Sequence, residues 1–506
     1  MKLKTFSDWV RAGGVILPLL LSLGLGGGNA LAAGRNTLVI GQSADITSFD
    51  PTELRMGTFV LTHLLYNSLV RLDVNGRPQP ELAQSWTRSD DGKTLTLKLA
   101  DGVSFHDGRK LTSKDVAFSL NYARDPANGA NILPLAKMIN SIDTPDDQTV
   151  ILKFDGGSDA IFDLLDLAFI IDGSQPEKIK TGGNGTGPFK LSRYMPGEDA
   201  VFVRNESYWG PRPTLKKITI KIIPDRQSGV MQLRAGTVDF LPSVDRETAG
   251  QLSSAGFATG AATEEGRVLD ITLNTLSAPL DKPEVRRAIG LALDRARIAR
   301  DIAGPAAKTK CLPWPAFSKR EAAGHENDCS YDLAQARQLI QQAGAAGAEI
   351  SLMSRTQSEP QIGAMAQVLQ NALRDIGLKA SIVEMSEAAY ISRFRKGDFQ
   401  LAAHVYARAG RGPAAILLSA VIFRATDNLA GIKSRQYQDD VALVTSQPPG
   451  PATDQAWQRI DEFMLKENWV LPVATLPVLW ASAPGLTGVR FNLDGMPILA
   501  DAAFQP

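Results

Sequence analysis

After Gly266 the sequence alternates between two periodicities, and this alternation limits the fold more than any other feature of the chain. Val268 to Asn274 is a short β-prone apolar run, and Pro283 to Ile302 carries its apolar residues at helical spacing. Helices are predicted again over Tyr331 to Ala343, over Pro360 to Ile376 with Gly377 as the stop, and over Ser386 to Lys396. Strands are predicted at Leu378 to Glu384 and at Phe399 to Val405. Strands that alternate with helices bury their apolar faces by stacking in layers, so an α/β fold is expected. A chain of 506 residues is long enough for several domains at roughly 150 residues each, yet no low-complexity linker divides it. The domains are therefore expected to be joined by strands that cross between them.

The first half carries its own signals. Asn36 to Gly41 reads as a buried strand opening into a polar loop that reaches Asp50-Pro51. Leu61, Leu64, Leu65 and Leu69 share one face of a helix predicted over Thr58 to Leu69. Ser89 to Lys93, with its Asp-Gly step, separates Trp86 from the alternating Leu95, Leu97 and Leu99, as in a hairpin. Thr112 to Asp115 forms a capping box for a helix that Asp125-Pro126 ends. Gln148 to Phe154 and Val478 to Trp480 read as further strands.

Residues 1–32 combine Lys2, Lys4 and Arg11 with an apolar run from Val15 to Leu25 and end in Ala30-Leu31-Ala32. This is the pattern of a secretory signal peptide, cleaved after Ala32, so a periplasmic product beginning at Ala33 is expected. No cysteine follows the run to take a lipid anchor. In an oxidising compartment Cys311 and Cys329 are expected to pair, closing a loop rich in Pro and Gly and stabilising the fold by about 3 kcal/mol. Lys plus Arg equals Asp plus Glu at 54 each, which gives no field to attract nucleic acid. The four histidines and two cysteines have no ligand spacing, so neither a metal site nor a cofactor is expected. A secreted hydrolase would need a nucleophile with its base, and no such constellation is evident. Gly182 to Gly187 lacks the following Lys-Ser/Thr of a phosphate loop and reads as a turn before a strand; His106, beside Asp107-Gly108, reads as a turn residue. An enzyme is therefore not expected.

Several of these segments occur in a familiar order. Pro80 to Trp86, Asp91 to Lys93, and Phe105 to Gly108 running into Leu111 to Val116 come first. Gly185 to Phe189, Arg204 to Gly210 and Ile223 to Asp225 follow, then Asn274-Thr275, Pro279-Leu280, Val285 to Ala288, Leu293 to Arg295, and Tyr331-Asp332 with Ala336-Arg337. The chain thus resembles the periplasmic solute-binding proteins of the peptide and nickel-chelate ABC importer family (family 5) over almost its whole mature length. The resemblance implies a two-lobed clamshell of class II with an extra small subdomain in the first lobe. It implies a small-molecule or oligopeptide ligand, a membrane permease as partner, and a monomer. A sensory or chaperone-like binder would share the fold.

Laid on that plan, lobe I takes residues 33–62 and 185–265, its small subdomain 63–184, lobe II 266–475, and a return segment 476–506 completes lobe I. The resemblance places the ligand between the lobes, against Ser43 to Phe59 and Tyr406 to Pro413. Candidate ligand-binding residues are therefore Arg55, Thr58, Phe59, Tyr406, Arg408 and Arg411. The second loop has neither the acid of peptide binders nor the tryptophan of nickel-chelate binders, and Leu167 to Ile171 lacks the arginine of the latter. Arg55, Arg408 and Arg411 instead offer forked donors suited to a carboxylate or phosphate on the ligand.

Overall fold

The structure, a computed structural model, describes residues 35–54, 57–320, 329–357 and 359–505. The expected signal peptide and Arg55 lie outside the described residues. Among the described residues no helix is long and apolar enough to cross a membrane.

Two large sheets organise the chain. In the first, Thr37–Gln42 lies between Lys217–Ile222 and Phe240–Val244, parallel to both. Its Leu38 and Ile40 are fully buried, as the apolar run requires of a central strand. Antiparallel strands extend this sheet to seven on both sides. The second sheet has five strands, with Arg267–Leu273 between Leu401–Ala407 and Val470–Thr475. A third, four-stranded antiparallel sheet is built from Ala83–Arg88, Thr94–Leu99, Thr149–Phe154 and Ile139–Asp146. Its first two strands are the hairpin of the Asp-Gly turn, where Gly92 takes a left-handed φ of 71°.

The two large sheets are linked by two short crossings that run side by side. Ala258–Thr263 pairs with Val478–Ser482 in the first sheet, and Arg267–Leu273 pairs with Val470–Thr475 in the second. Only Glu264 to Gly266 and Leu476-Pro477 lie between the pairs. The carboxy-terminal residues Leu486, Met496, Leu499 and Ala502 pack into the core of the first large sheet. A separate core lines the second sheet, and a third gathers Trp314, Trp457 and Trp469. Cys311 and Cys329 are joined by a disulfide, with their Cα atoms 5.8 Å apart.

Two predicted helices are shorter than their periodicity suggested. The helix from Thr58 ends at Leu65, because the next residues are taken by other partners: Ser68 bonds to Glu81, and the Leu69 N–H donates to the Leu165 carbonyl. The helix from Pro283 stops at Ala292, where Leu293 turns extended and Asp294 caps a new turn by accepting from the Arg297 N–H. The capping box before Val116 is present, with the Asp115 carboxylate accepting from the Thr112 backbone N–H at 2.9 Å.

Candidate functional site

The loop after the first strand is pinned by a buried carboxylate. Asp50 accepts from the Thr52 N–H at 2.9 Å, the Thr52 hydroxyl at 2.7 Å and the Tyr122 hydroxyl at 2.7 Å. The Thr52 carbonyl in turn accepts from the Asn131 N–H at 3.0 Å, and the Asn131 side-chain amide donates to the Glu53 carbonyl. From the second sheet, the Arg408 guanidinium reaches across to the Asn131 carbonyl at 3.4 Å. Asn131 therefore brings the two expected ligand loops together. No feature of the sequence around it gave that role away.

Arg408 holds a left-handed backbone, φ 63°, which a side chain with a Cβ adopts only at a cost of about 1–2 kcal/mol. Two backbone bonds fix this turn: Ala409 N–H to the Gly266 carbonyl and Arg411 N–H to the Arg408 carbonyl, each 3.1 Å. Burial pushes the Arg408 pKa down, against the pull of Asp494. Among the described residues no carboxylate makes an ion pair with Arg408.

Arg411 behaves differently from its expected role. It is 2% exposed and is held by three carboxylates of the first lobe. Its Nη1 donates to Asp166 at 2.5 Å, its Nη2 and Nε donate to Asp494 at 2.6 and 3.2 Å, and Asp163 stands 3.8 Å away. Asp163 also accepts from the Gly412 N–H at 3.3 Å. Burial alone would push the guanidinium's pKa down, but Asp494, Asp166 and Asp163 outweigh it and raise it. This arginine joins the lobes to each other, with three of its five N–H donors committed to carboxylates of the first lobe. Thr58 is likewise interior, its carbonyl accepting from the Thr62 hydroxyl at the start of the first helix, and Phe59 packs partly buried on the first core. Tyr406 turns into the second lobe, donating to the Pro313 carbonyl at 2.9 Å and meeting Phe423 edge-on. Of the candidates placed by the structure, Arg408 keeps an arrangement suited to ligand recognition.

The acids that hold Arg411 had a sequence signal that went unused. Asp163 and Asp166 sit three positions apart on the otherwise apolar helix Ala160–Leu167, so both must be buried and both need partners. Asp494 lies in an ordinary Asp-Gly turn and gave none. The lobes are shut on each other here. The second-lobe helix Pro413–Ser419 places Ala415 in the first lobe's core. Glycines of the small sheet's turns also touch the second lobe. A Cβ on Gly156 would fall 1.4 Å from the Ser446 carbonyl oxygen, and one on Gly157 would fall 3.2 Å from Pro448.

Two lobes joined by two short crossings define the clamshell of a periplasmic binding protein. Residues 77–419 match the family described as bacterial extracellular solute-binding proteins, family 5 Middle, and the chain belongs to it. It is 28% identical over 427 residues to the dipeptide-binding protein of Pseudomonas aeruginosa, covering 76% of this chain and 79% of that one. It is 26% identical over 470 residues to the nickel-binding periplasmic protein of Escherichia coli, covering 87% and 88%. Among solved structures, NikA from Brucella suis in complex with Fe(III)-EDTA superposes with a TM-score of 0.81 at 22% identity, over 93% of this chain and 100% of that one.

Proposed function

We propose that the protein is the solute-binding component of an ABC importer, working in the periplasm as a monomer after loss of residues 1–32, and that its solute is small, peptide-like and carries at least one carboxylate. The lobes bind by closing, so affinity comes from contacts made in the closed form only, and no bond is broken. Family membership supports the role, and the peptide- and nickel-binding relatives bracket the ligand class. The observation that carries the carboxylate is Arg408: a cation at the seam, held in a left-handed turn, whose hydrogen bond across the cleft goes to the Asn131 carbonyl. A half-buried guanidinium with so little compensation favours an anionic partner.

The test is mass spectrometry of molecules released from protein purified out of the periplasm, followed by calorimetry with a panel of di- and tripeptides and their carboxy-terminal amides. Free acids are expected to bind more tightly than amides, and Arg408→Ala is expected to erase that difference, at a loss of about 2–5 kcal/mol. Equal binding of acids and amides by the wild type would refute the carboxylate.

A further inference from the structure

Behind the Arg411 cluster, the lobes form a second, partly open compartment of about 370 Å³. Phe162 and Asp163 line it from the first lobe; Phe317, Arg320, Ala414 and Trp457 line it from the second. It does not include Arg408, Asn131 or the loop of Asp50. Since Asp163 faces both the compartment and Arg411, the ion cluster forms the wall between this space and the cleft.

The walls have a definite chemistry. Three aromatic rings supply apolar surface, and Trp457 is fixed by an edge-on contact with Trp314 at 5.4 Å. The Arg320 guanidinium lies over the Trp457 ring, 4.3 Å from its centroid. Among the described residues it makes no ion pair, although Asp461 and Asp454 act on it from a distance. The acids of the first-lobe wall are already committed: Asp159 to Arg88 at 2.9 Å, and Asp163 to Gly412 and the Arg411 cluster. Asp454 is exposed to water. Arg320 is the cation of the lining among the described residues, and it is stacked on a ring that also offers a face to a flat ligand.

We propose that this compartment is a second binding site, for a small amphipathic carboxylic acid whose anion pairs with Arg320 while its apolar body lies among Phe162, Phe317 and Trp457. The volume suits a molecule of about a dozen heavy atoms. Because the walls come from both lobes, such an acid binds the closed form and holds it closed. Closed-state ligands reinforce each other, so occupancy here raises affinity for the transported solute, and the solute raises affinity here by the same factor. Only this coupling rests on the transport reading above; binding of the acid does not.

The experiment titrates the full-length mature protein with indole-3-acetate and 3-phenylpropionate, using their neutral amides as controls, by calorimetry and tryptophan fluorescence. Both acids are expected to bind saturably, and the amides at least about tenfold more weakly. Arg320→Gln is expected to abolish the preference for the acid, and Ala414→Phe to block both acids by filling the space. Arg408→Ala is expected to weaken both acids far less than Arg320→Gln does. Absence of saturable binding up to about 10 mM overturns the proposal. So does loss of binding in Arg408→Ala with retention in Arg320→Gln, which would put the acids in the transport cleft. If the acids bind as expected but fail to tighten binding of a co-purified solute, the coupling falls and the transport reading with its site is tested separately by the peptide panel.

Discussion

Asp163 makes the seam between the lobes sensitive to pH. Burial penalises its charge more than Arg411 rewards it, so its pKa is pushed up from 3.8 to about 7. Between those values the folded protein holds a proton that the unfolded chain has released, and unfolding sheds it. The contribution of Asp163 to stability is therefore greatest below pH 3.8, falls as the pH rises to about 7, and is level beyond. His63 and His106 act in the opposite sense. Burial pushes both down to about 4, so the stability they contribute above 6.5 is lost as the pH falls towards 4. The two effects oppose each other in the wild type, two histidines against one carboxylate, and a variant separates them. Asp163→Asn keeps both histidines and the shape, so it should gain stability relative to wild type as the pH rises from about 4 to about 7. Urea titrations of both proteins at about pH 5 and about pH 8 check this; a constant difference, or one that shrinks with rising pH, would show that Asp163 ionises freely. The sequence disclosed only half of this cluster. Arg411 stood out as a loop cation, but the acids that neutralise it lie 248, 245 and 83 positions away or nearly so in the chain, a distance over which side-chain chemistry alone specifies no pairing.

Helices and strands were easier to read, because periodicity is a local property. The Asp-Gly hairpin, the capping box at Thr112 and the helix stopped by Gly377 each depend on residues within one or two turns of each other. One reading failed where a distant partner outbid the local pattern, as the Leu165 carbonyl does at Leu69, and the other where a second local cap at Asp294 interrupted the helical spacing. Contact between elements was not legible at all. Gly156 shows why: in sequence it is one glycine of a turn, yet in the structure it lets the small sheet approach the end of helix Arg435–Ser446. A valine there would place its Cβ on the Ser446 carbonyl oxygen, a backbone atom that cannot swing aside. Gly156→Val should therefore leave each lobe folded but hold the seam apart. Small-angle X-ray scattering should show an expanded molecule, and solute affinity should drop by at least about tenfold, since closed-state contacts are lost. Gly250→Ala is the control, because nothing lies within 4 Å of a Cβ at that helical position. Scattering from Gly156→Val identical to wild type would mean that the seam is not part of closure.

The molecule has two large cores of its own, one around each main sheet, and the cores are connected by two adjacent crossings of two or three residues. Such a connection transmits little cooperativity by itself, because each crossing has few side chains to bury. The coupling must come from the seam: the helix Pro413–Ser419 inserted against the first core, and Arg411 gripped by Asp163, Asp166 and Asp494. Removing Arg411 leaves three carboxylates facing one another without their cation, and breaking a buried pair in this way costs about 3–5 kcal/mol. That cost falls on the closed arrangement alone, since in an open molecule all three acids reach water. Arg411→Ala should therefore shift the protein towards the open form without unfolding either lobe. In scanning calorimetry the wild type should melt in a single transition with both lobes coupled, and Arg411→Ala should resolve into two, the earlier at a lower temperature than the wild-type melt. Arg411→Lys keeps the charge but not the fork to Asp494, so its melt should fall between them. A single transition in Arg411→Ala, merely displaced, would place the coupling in the crossings themselves and make the charged cluster a local feature of the first lobe.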